Sequence, residues 1–156
     1  MTEGGAGRVV VISGSEVKAA ASGLSRPTGI APAADGSCFV AEAGKGRVVH
    51  VNGGVSEAVG GLREPHGLAL AGDDLFIVDT GAHELICFST KTRQRKTIAS
   101  NLPVGSPPGV VPHVLAGIPG LLAGPIRAYS GVAIGRDGAI YVAADGQGSI
   151  LAFRQA

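Results

Sequence analysis

The residues that could do chemistry recur at related positions in the sequence. Carboxylates stand at Glu42 and Asp79, each directly after a short apolar run, and a histidine stands at His66. A histidine titrates near working pH and could serve as a general base or a metal ligand. Carboxylates that converge with other oxygen donors could hold a divalent cation: Ca²⁺, or Zn²⁺ or Mg²⁺. The sequence predicts catalytic roles for His66 and Asp79, metal ligation by Glu42 and Asp79, and ligand binding by Thr28, His113, Tyr129 and Ser130.

The same residues also have a structural interpretation. His66 could be hydrogen-bonded within its own sheet. Glu42 and Asp79 could accept N–H groups of the turns "AGKG" and "TGAH" that follow them, as short acidic side chains do. Their recurrence at equivalent positions favours this structural role. The sequence contains no "GxSxG" motif and no serine–histidine–acid order that would indicate a nucleophilic serine.

These positions are related because the chain repeats itself. The stretch 62–102 is preceded by a similar stretch, 24–62, and its first part recurs in 125–154. Equivalent segments begin with Gly29, Gly67 and Gly131, and equivalent apolar runs begin with Phe39, Phe76 and Tyr141. A period of about 40 residues is typical of repeat architectures.

Each full repeat reads as short strands a to d separated by turn signals such as Asp35-Gly36 and Asp137-Gly138. This pattern predicts an all-β fold, a β-propeller of about three four-stranded blades, half of a ring of about six. The predicted division is a partial blade with strands c and d (1–23), blades at 24–61 and 62–102, an inserted lid loop (103–124) and a partial blade with strands a to c (125–156). We expect the ring to be closed by a second copy, in a homodimer, or by sequence beyond this chain.

Antiparallel order alone predicts where the site lies. The start of strand a, the end of strand b and the connection from d to a fall on one face of a propeller. Thr28, His66 and Ser130 therefore share a face with Glu42, Asp79 and Asp145, and the insertion carrying His113 lies over the same rim. Such a central mouth is a common place for a small-molecule ligand.

Composition excludes several partners. The formal net charge is +1 and the one basic run is Arg93 to Lys96, so we expect no nucleic-acid partner. No segment approaches the roughly 18 to 20 apolar residues of a membrane span, so we expect no membrane partner. The N-terminus lacks a basic region followed by an apolar core, and only Cys38 and Cys87 are present, which predicts reduced thiols in a cytoplasmic protein.

The segments "LSRPTGIAPAADGSCFVAEAGKGRVVHV" and "LREPHGLALAGDDLFIVDTGAHELICF" resemble the NHL-repeat pattern, and "YSGVAIGRDGAIYVAADGQGSILAFR" is similar to blades of gluconolactonase- and regucalcin-like propellers. The second resemblance implies a six-bladed ring with a divalent cation at its axis, held by Glu, Asn and Asp. Onto this chain Glu42 (or Glu3) and Asp79 carry over, and no asparagine matches. It implies a metal-dependent hydrolase of a sugar lactone or small ester. The NHL resemblance implies instead a non-catalytic binding or scaffold module, so whether the chain is an enzyme stays open.

Overall fold

The structure, a computed structural model, describes residues 1–105 and 130–154, and within them the chain forms four antiparallel sheets. The first sheet contains β1 (Thr2–Glu3), β2 (Arg8–Ser13) and β3 (Glu16–Ala21). The second contains β4 (Pro27–Pro32), β5 (Cys38–Glu42), β6 (Arg47–Val51) and β7 (Val55–Val59). The third contains β8 (Pro65–Ala71), β9 (Asp74–Asp79), β10 (Glu84–Ser89) and β11 (Arg95–Ala99). The fourth contains β12 (Val132–Ile134), β13 (Ile140–Ala144) and β14 (Ser149–Phe153).

The all-β prediction is confirmed, and in each sheet the strands pair in chain order. Within the described residues the helical structure is one 3₁₀ turn at Ala43–Lys45, and no helix is long and apolar enough to cross a bilayer. The first sheet has one strand more than predicted, because Glu3 pairs with Arg8 as Glu42 pairs with Arg47 in the second sheet. Most of the predicted insertion, including His113, lies outside the described residues.

The cores lie between successive sheets. Val9 of the first sheet packs with Val40, Val49 and Val51 of the second. The opposite face of the second sheet, including Phe39 and Val48, packs with Leu75, Ile77, Ile86 and Phe88 of the third. Phe76, Val78 and Leu85 on the far face of the third sheet pack with Ile140 and Val142 of the fourth. Because the inner sheets are covered on both faces, their second strands, β5 and β9, read as nearly continuous apolar runs.

The first strands of successive sheets contact each other, β4 with β8 and β8 with β12. Both β4 and β8 carry a register shift near their first residues, between Pro27 and Ile30 and between Pro65 and Leu68. The glycines in these shifts allow the close approach: a Cβ added at Gly29 would lie 2.0 Å from the His66 carbonyl oxygen. A Cβ at Gly67 would lie 2.6 Å from the carbonyl oxygen of Ser130. This contact of first strands is the arrangement expected of propeller blades around an axis.

Candidate functional site at the starts of the first strands

The predicted site residues lie at one end of the sheets. In the second sheet Pro27 pairs with Glu42, and in the third Pro65 pairs with Asp79. The start of each first strand is therefore beside the end of the second strand, as antiparallel order requires. Thr28 and His66 sit in the register shifts next to those pairs. His113 and Tyr129 lie outside the described residues.

Asp79 is bound on both oxygens by its own sheet. Its Oδ2 accepts the N–H of Arg63 at 2.8 Å, and its Oδ1 accepts the N–H groups of Glu64 at 2.8 Å and Ala82 at 3.2 Å. The residue is only 1% exposed. Two of these donors belong to the connection that leads into β8, and one to the turn after β9. The carboxylate therefore joins these two segments of backbone.

Glu42 does the same in the second sheet, with cations added. Its Oε1 accepts the N–H of Ser25 at 2.8 Å and lies 3.0 Å from Lys45 Nζ, while Oε2 accepts Nε of Arg47 at 2.6 Å. The side chain is fully buried. Burial acts to raise the pKa of this carboxyl, but the Ser25 hydrogen bond and the contacts with Lys45 and Arg47 outweigh it and lower the pKa below its ordinary value.

Asp145 repeats the arrangement at the fourth sheet although it stands one position later in the sequence repeat. Its Oδ1 accepts the N–H of Gly105 at 2.8 Å and the hydroxyl of Ser130. The predicted ligand-binding hydroxyl of Ser130 is thus engaged within its own sheet. In the first sheet Glu3 forms an ion pair with Arg8 that parallels the pair of Glu42 with Arg47.

Three further polar side chains at this end form a second group, which we call the mouth cluster: Arg26, Glu64 and His66. Glu64 Oε1 accepts a hydrogen bond from Arg26 Nη2 at 2.5 Å and lies 3.7 Å from Nε2 of His66. His66 is 6% exposed. Burial lowers its pKa, a direction reinforced by Arg26 and opposed by Glu64 and Asp145, so the neutral imidazole is favoured.

Sequence reasoning found His66 but not its two charged neighbours. Arg26 and Glu64 occupy the same repeat position, directly before the proline in "SRPT" and "REPH". Opposite charges at equivalent positions of adjacent repeats are the signal that would have identified them. Thr28 lies beside this cluster, where its hydroxyl donates to the carbonyl oxygen of Pro65 at 2.9 Å and so connects the second and third sheets.

The predicted metal ligands are not gathered into a cation-binding set. Within residues 1–105 and 130–154 no group of three or more His, Cys, Asp and Glu side chains could hold a metal ion. A Ca²⁺ ion needs about six to eight convergent oxygens, whereas Glu42 and Asp79 direct theirs to N–H donors and cations of their own sheets. The arrangement of these described residues does not fit a divalent cation. Cation binding by the chain stays a prediction.

A further polar group lies at the opposite end of the second sheet. Ser37 Oγ is 2.8 Å from Nε2 of His50 and donates to Oδ1 of Asp35 at 2.6 Å. Asp35 also accepts the N–H of Ser37 at 2.9 Å, which makes it a turn-stabilising residue. In a hydrolytic triad the acid binds the histidine rather than the serine, so this arrangement is not a triad.

No protein-family model matches the chain, and no curated protein is significantly similar to it. Solved structures do resemble it. Selenomethionine-substituted virginiamycin B lyase from Staphylococcus aureus matches with a TM-score of 0.62 and 12% identity, over 97% of this chain and 50% of the lyase. A streptogramin B lyase structure matches with a TM-score of 0.51 and 16% identity, over 83% of this chain and 40% of that one.

These similarities show the fold and confirm the β-propeller prediction, with the first and fourth sheets as partial blades of three strands. The chain spans half or less of the length of these two solved structures. Identities of 12% and 16% carry no information on the reaction.

Proposed function

We propose that this chain is a non-catalytic β-propeller module of the NHL type, which binds a small polar ligand or a partner at the mouth cluster. The observation that carries the proposal is the use of the buried carboxylates. A metal-dependent hydrolase of the gluconolactonase type would need Glu42 and Asp79 as ligands. In this chain their carboxylate oxygens accept hydrogen bonds from N–H donors and from Arg47 of their own sheets. The mouth cluster of Arg26, Glu64 and His66 lies at the same end of the sheets, where a ligand could contact it.

The chemistry of the mouth cluster suggests the class of ligand. Arg26 and Glu64 are partly exposed, with side chains 42% and 35% accessible, and they offer a fork of donors next to a carboxylate. The neutral His66 imidazole carries one donor and one acceptor nitrogen. A small molecule with both acceptor and donor groups, such as a hydroxylated acid or a sugar derivative, complements this set.

The test is a calorimetric titration of the full chain with Ca²⁺, Zn²⁺ and Mg²⁺, followed by an assay with gluconolactone in the presence of each cation. The proposal predicts no saturable cation binding and no lactone hydrolysis above the rate in buffer. The opposite result is stoichiometric Ca²⁺ binding that is lost in Asp79→Asn and kept in the control Asp73→Asn. That result would overturn the structural role assigned to Asp79.

A second candidate function is catalysis at the same mouth, as a sugar-lactone or small-ester hydrolase or as a lyase. Its support is His66, a buried imidazole kept neutral and placed beside a carboxylate, as a general base should be. Two of the similar solved structures are named as lyases, and for this reason a lyase reaction is included in the test.

This candidate predicts that virginiamycin B or gluconolactone is converted by the wild-type chain and that His66→Asn loses at least about a hundredfold in rate, the typical contribution of a general base. The matched control is His83→Asn, which replaces a histidine with φ 58° by a residue that tolerates that conformation. Equal rates for wild type, His66→Asn and buffer would eliminate the candidate.

A further inference from the structure

A groove of about 450 Å³ lies between the second and third sheets, at the end opposite the mouth cluster. Its apolar lining is Phe39 and the ring of His50 from the second sheet, with Leu70 and Phe88 from the third. Phe39 and His50 pair across neighbouring strands, and their rings stack with centroids 4.8 Å apart. Both sheets are covered on each face by described sheets. Grooves of this size and lining hold small organic molecules.

The imidazole of His50 supplies an acceptor to this groove. The hydrogen bonds from Ser37 lower the pKa of the Asp35 carboxyl, so Asp35 is ionised at neutral pH and only accepts. The Ser37 hydroxyl therefore gives its hydrogen to Asp35, and its oxygen accepts from His50 Nε2 at 2.8 Å. In the neutral imidazole Nδ1 then carries the lone pair. No hydrogen bond to this nitrogen is formed within residues 1–105 and 130–154.

The contacts of Arg93 show which charge the groove accommodates. The guanidinium carbon of Arg93 lies over the Phe88 ring, 6.0 Å from its centroid. Its Nη2 donates to the carbonyl oxygen of Ala58, on the second sheet, at 3.2 Å. A guanidinium over a ring face is a favourable cation–π contact. The third sheet therefore extends a cation into the groove, where a ring and a backbone acceptor receive it.

The backbone of Arg93 distinguishes this turn from its equivalents. Arg93 has φ 59°, in the left-handed region, within the turn that joins the last two strands of the third sheet. In the same turn of the first and second sheets the left-handed residue is a glycine, Gly14 with φ 61° and Gly53 with φ 62°. A side chain disfavours this conformation. Since the turn itself favours glycine, the contacts of the side chain in the groove are what Arg93 adds.

The other charges around the groove select the sign of a ligand. The described lining includes the carboxylates of Asp35, Glu57 and Asp73, and Arg93 is its one cationic side chain. Glu57 is paired with Arg47 at 3.2 Å. Three carboxylates against one guanidinium attract a cation and repel an anion at these short distances.

We propose that the groove between the second and third sheets binds a small organic ammonium ion with an aromatic or alkyl body, which displaces the Arg93 guanidinium from the Ala58 carbonyl. The ammonium group takes the ring face of Phe88 and the acceptors at Ala58 and His50, and the apolar body covers Phe39. The site is separate from the mouth cluster, so it does not depend on the function proposed there.

The test is an NMR titration of the ¹⁵N-labelled full chain with three probes of similar shape: phenethylamine, 2-phenylethanol and 3-phenylpropionate. Phenethylamine is expected to bind saturably, about fivefold more tightly than the neutral alcohol, since one ion pair near the surface is worth about that factor. The carboxylate is expected to bind more weakly than the alcohol. The shifted amide signals should include those of His50 and Arg93.

Two variants separate the acceptor from the competing cation. His50→Phe keeps a ring against Phe39 and removes Nδ1, so the affinity for phenethylamine should fall about tenfold. Arg93→Gly removes the competing guanidinium and places glycine at the left-handed position, so the affinity should rise at least about threefold. The control is His83→Gly, which changes a left-handed residue outside the groove and should leave the affinity unchanged.

The effect of Arg93→Gly is decisive because this variant suits its turn and should remain folded, which circular dichroism verifies. A groove built for anions would prefer 3-phenylpropionate and lose it in Arg93→Gly. That result would overturn the proposal. So would the absence of saturable phenethylamine binding in both wild type and Arg93→Gly, or an affinity for phenethylamine that Arg93→Gly lowers or leaves unchanged.

Discussion

The carboxylate of Asp79 accepts hydrogen bonds from three backbone N–H groups, and its contribution to the free energy of unfolding depends on all three. All three donors lie in connections rather than in strands, so within the described residues the pairing of strands does not provide for them. A buried donor left without its acceptor costs about 1–3 kcal/mol. Asp79, which the sequence predicts to be a catalytic group and a metal ligand, is therefore needed for the stability of the fold.

The corresponding prediction compares two aspartates. Asp79→Asn replaces one acceptor oxygen by an NH₂ group that faces N–H donors, and we expect the free energy of unfolding to fall by about 1–3 kcal/mol. Asp73→Asn changes an exposed turn residue and should alter it by less than about 0.5 kcal/mol. Urea denaturation of both variants measures the difference. Equal small losses would show that the Asp79 carboxylate is dispensable.

Glu42 adds a prediction in pH. Its pKa is lower in the folded chain than in the unfolded one, so its stabilising effect is complete above the ordinary glutamate pKa of about 4.3 and is lost as pH falls through the folded value. The difference in unfolding free energy between wild type and Glu42→Gln should be constant near neutral pH. It should shrink as the pH falls below the ordinary glutamate pKa of about 4.3. Urea denaturation in a pH series measures it, with Glu16→Gln, an exposed residue, as control. A difference that grows on acidification would contradict this assignment.

Residue patterns could predict that the carboxylates recur and that recurrence favours a structural role. They could not identify the main partners. The turns after Glu42 and Asp79 were predicted to supply the N–H donors, yet only Ala82 does so. The other donors, Ser25, Arg63 and Glu64, precede the carboxylates by 15 to 17 residues and come beside them only when the first two strands of a sheet pair.

At the scale of elements, the alternation of apolar runs with glycine turns was sufficient to predict the strands. The shifts in register at Thr28-Gly29 and His66-Gly67 were not predictable from the pattern of one repeat, and they lie on strands that contact the first strand of another sheet. The glycines in these shifts are conspicuous in the sequence. Their function, the close approach of one sheet to the next, is visible only in three dimensions.

The contact between first strands predicts opposite effects for two equivalent glycines. Gly67→Ala places a Cβ 2.6 Å from a backbone oxygen that cannot move away cheaply, and the free energy of unfolding should fall by at least about 1 kcal/mol. Gly131→Ala meets no heavy atom within 4 Å among residues 1–105 and 130–154 and should be neutral or stabilising by up to about 1 kcal/mol, since alanine restricts the unfolded chain.

Thermal and urea denaturation of the two variants, performed at dilution to keep the chain monomeric, provide the comparison. A loss of similar size in both would mean that the clash at Gly67 is relieved by local movement.

For the whole molecule, the described residues form a consecutive series of propeller blades rather than a closed ring. Repeat length and strand order were enough to predict the blades. They could not predict the number of blades in the complete assembly or what closes it, because each repeat specifies only its contact with its neighbours. A homodimer, a divalent cation at the axis and a cytoplasmic location stay predictions.

The proposed function depends most on the role of Glu42 and Asp79, whose buried carboxylates bind N–H donors and cations of their own sheets. The direct measurement is thermal unfolding of the wild-type chain in EDTA and in millimolar Ca²⁺, with Asp79→Asn measured in parallel. If these carboxylates have a structural role, the wild type has the same midpoint in both buffers, and Asp79→Asn has a lower midpoint that is equally insensitive to Ca²⁺. A wild-type midpoint that rises with Ca²⁺ while that of Asp79→Asn does not would contradict that role.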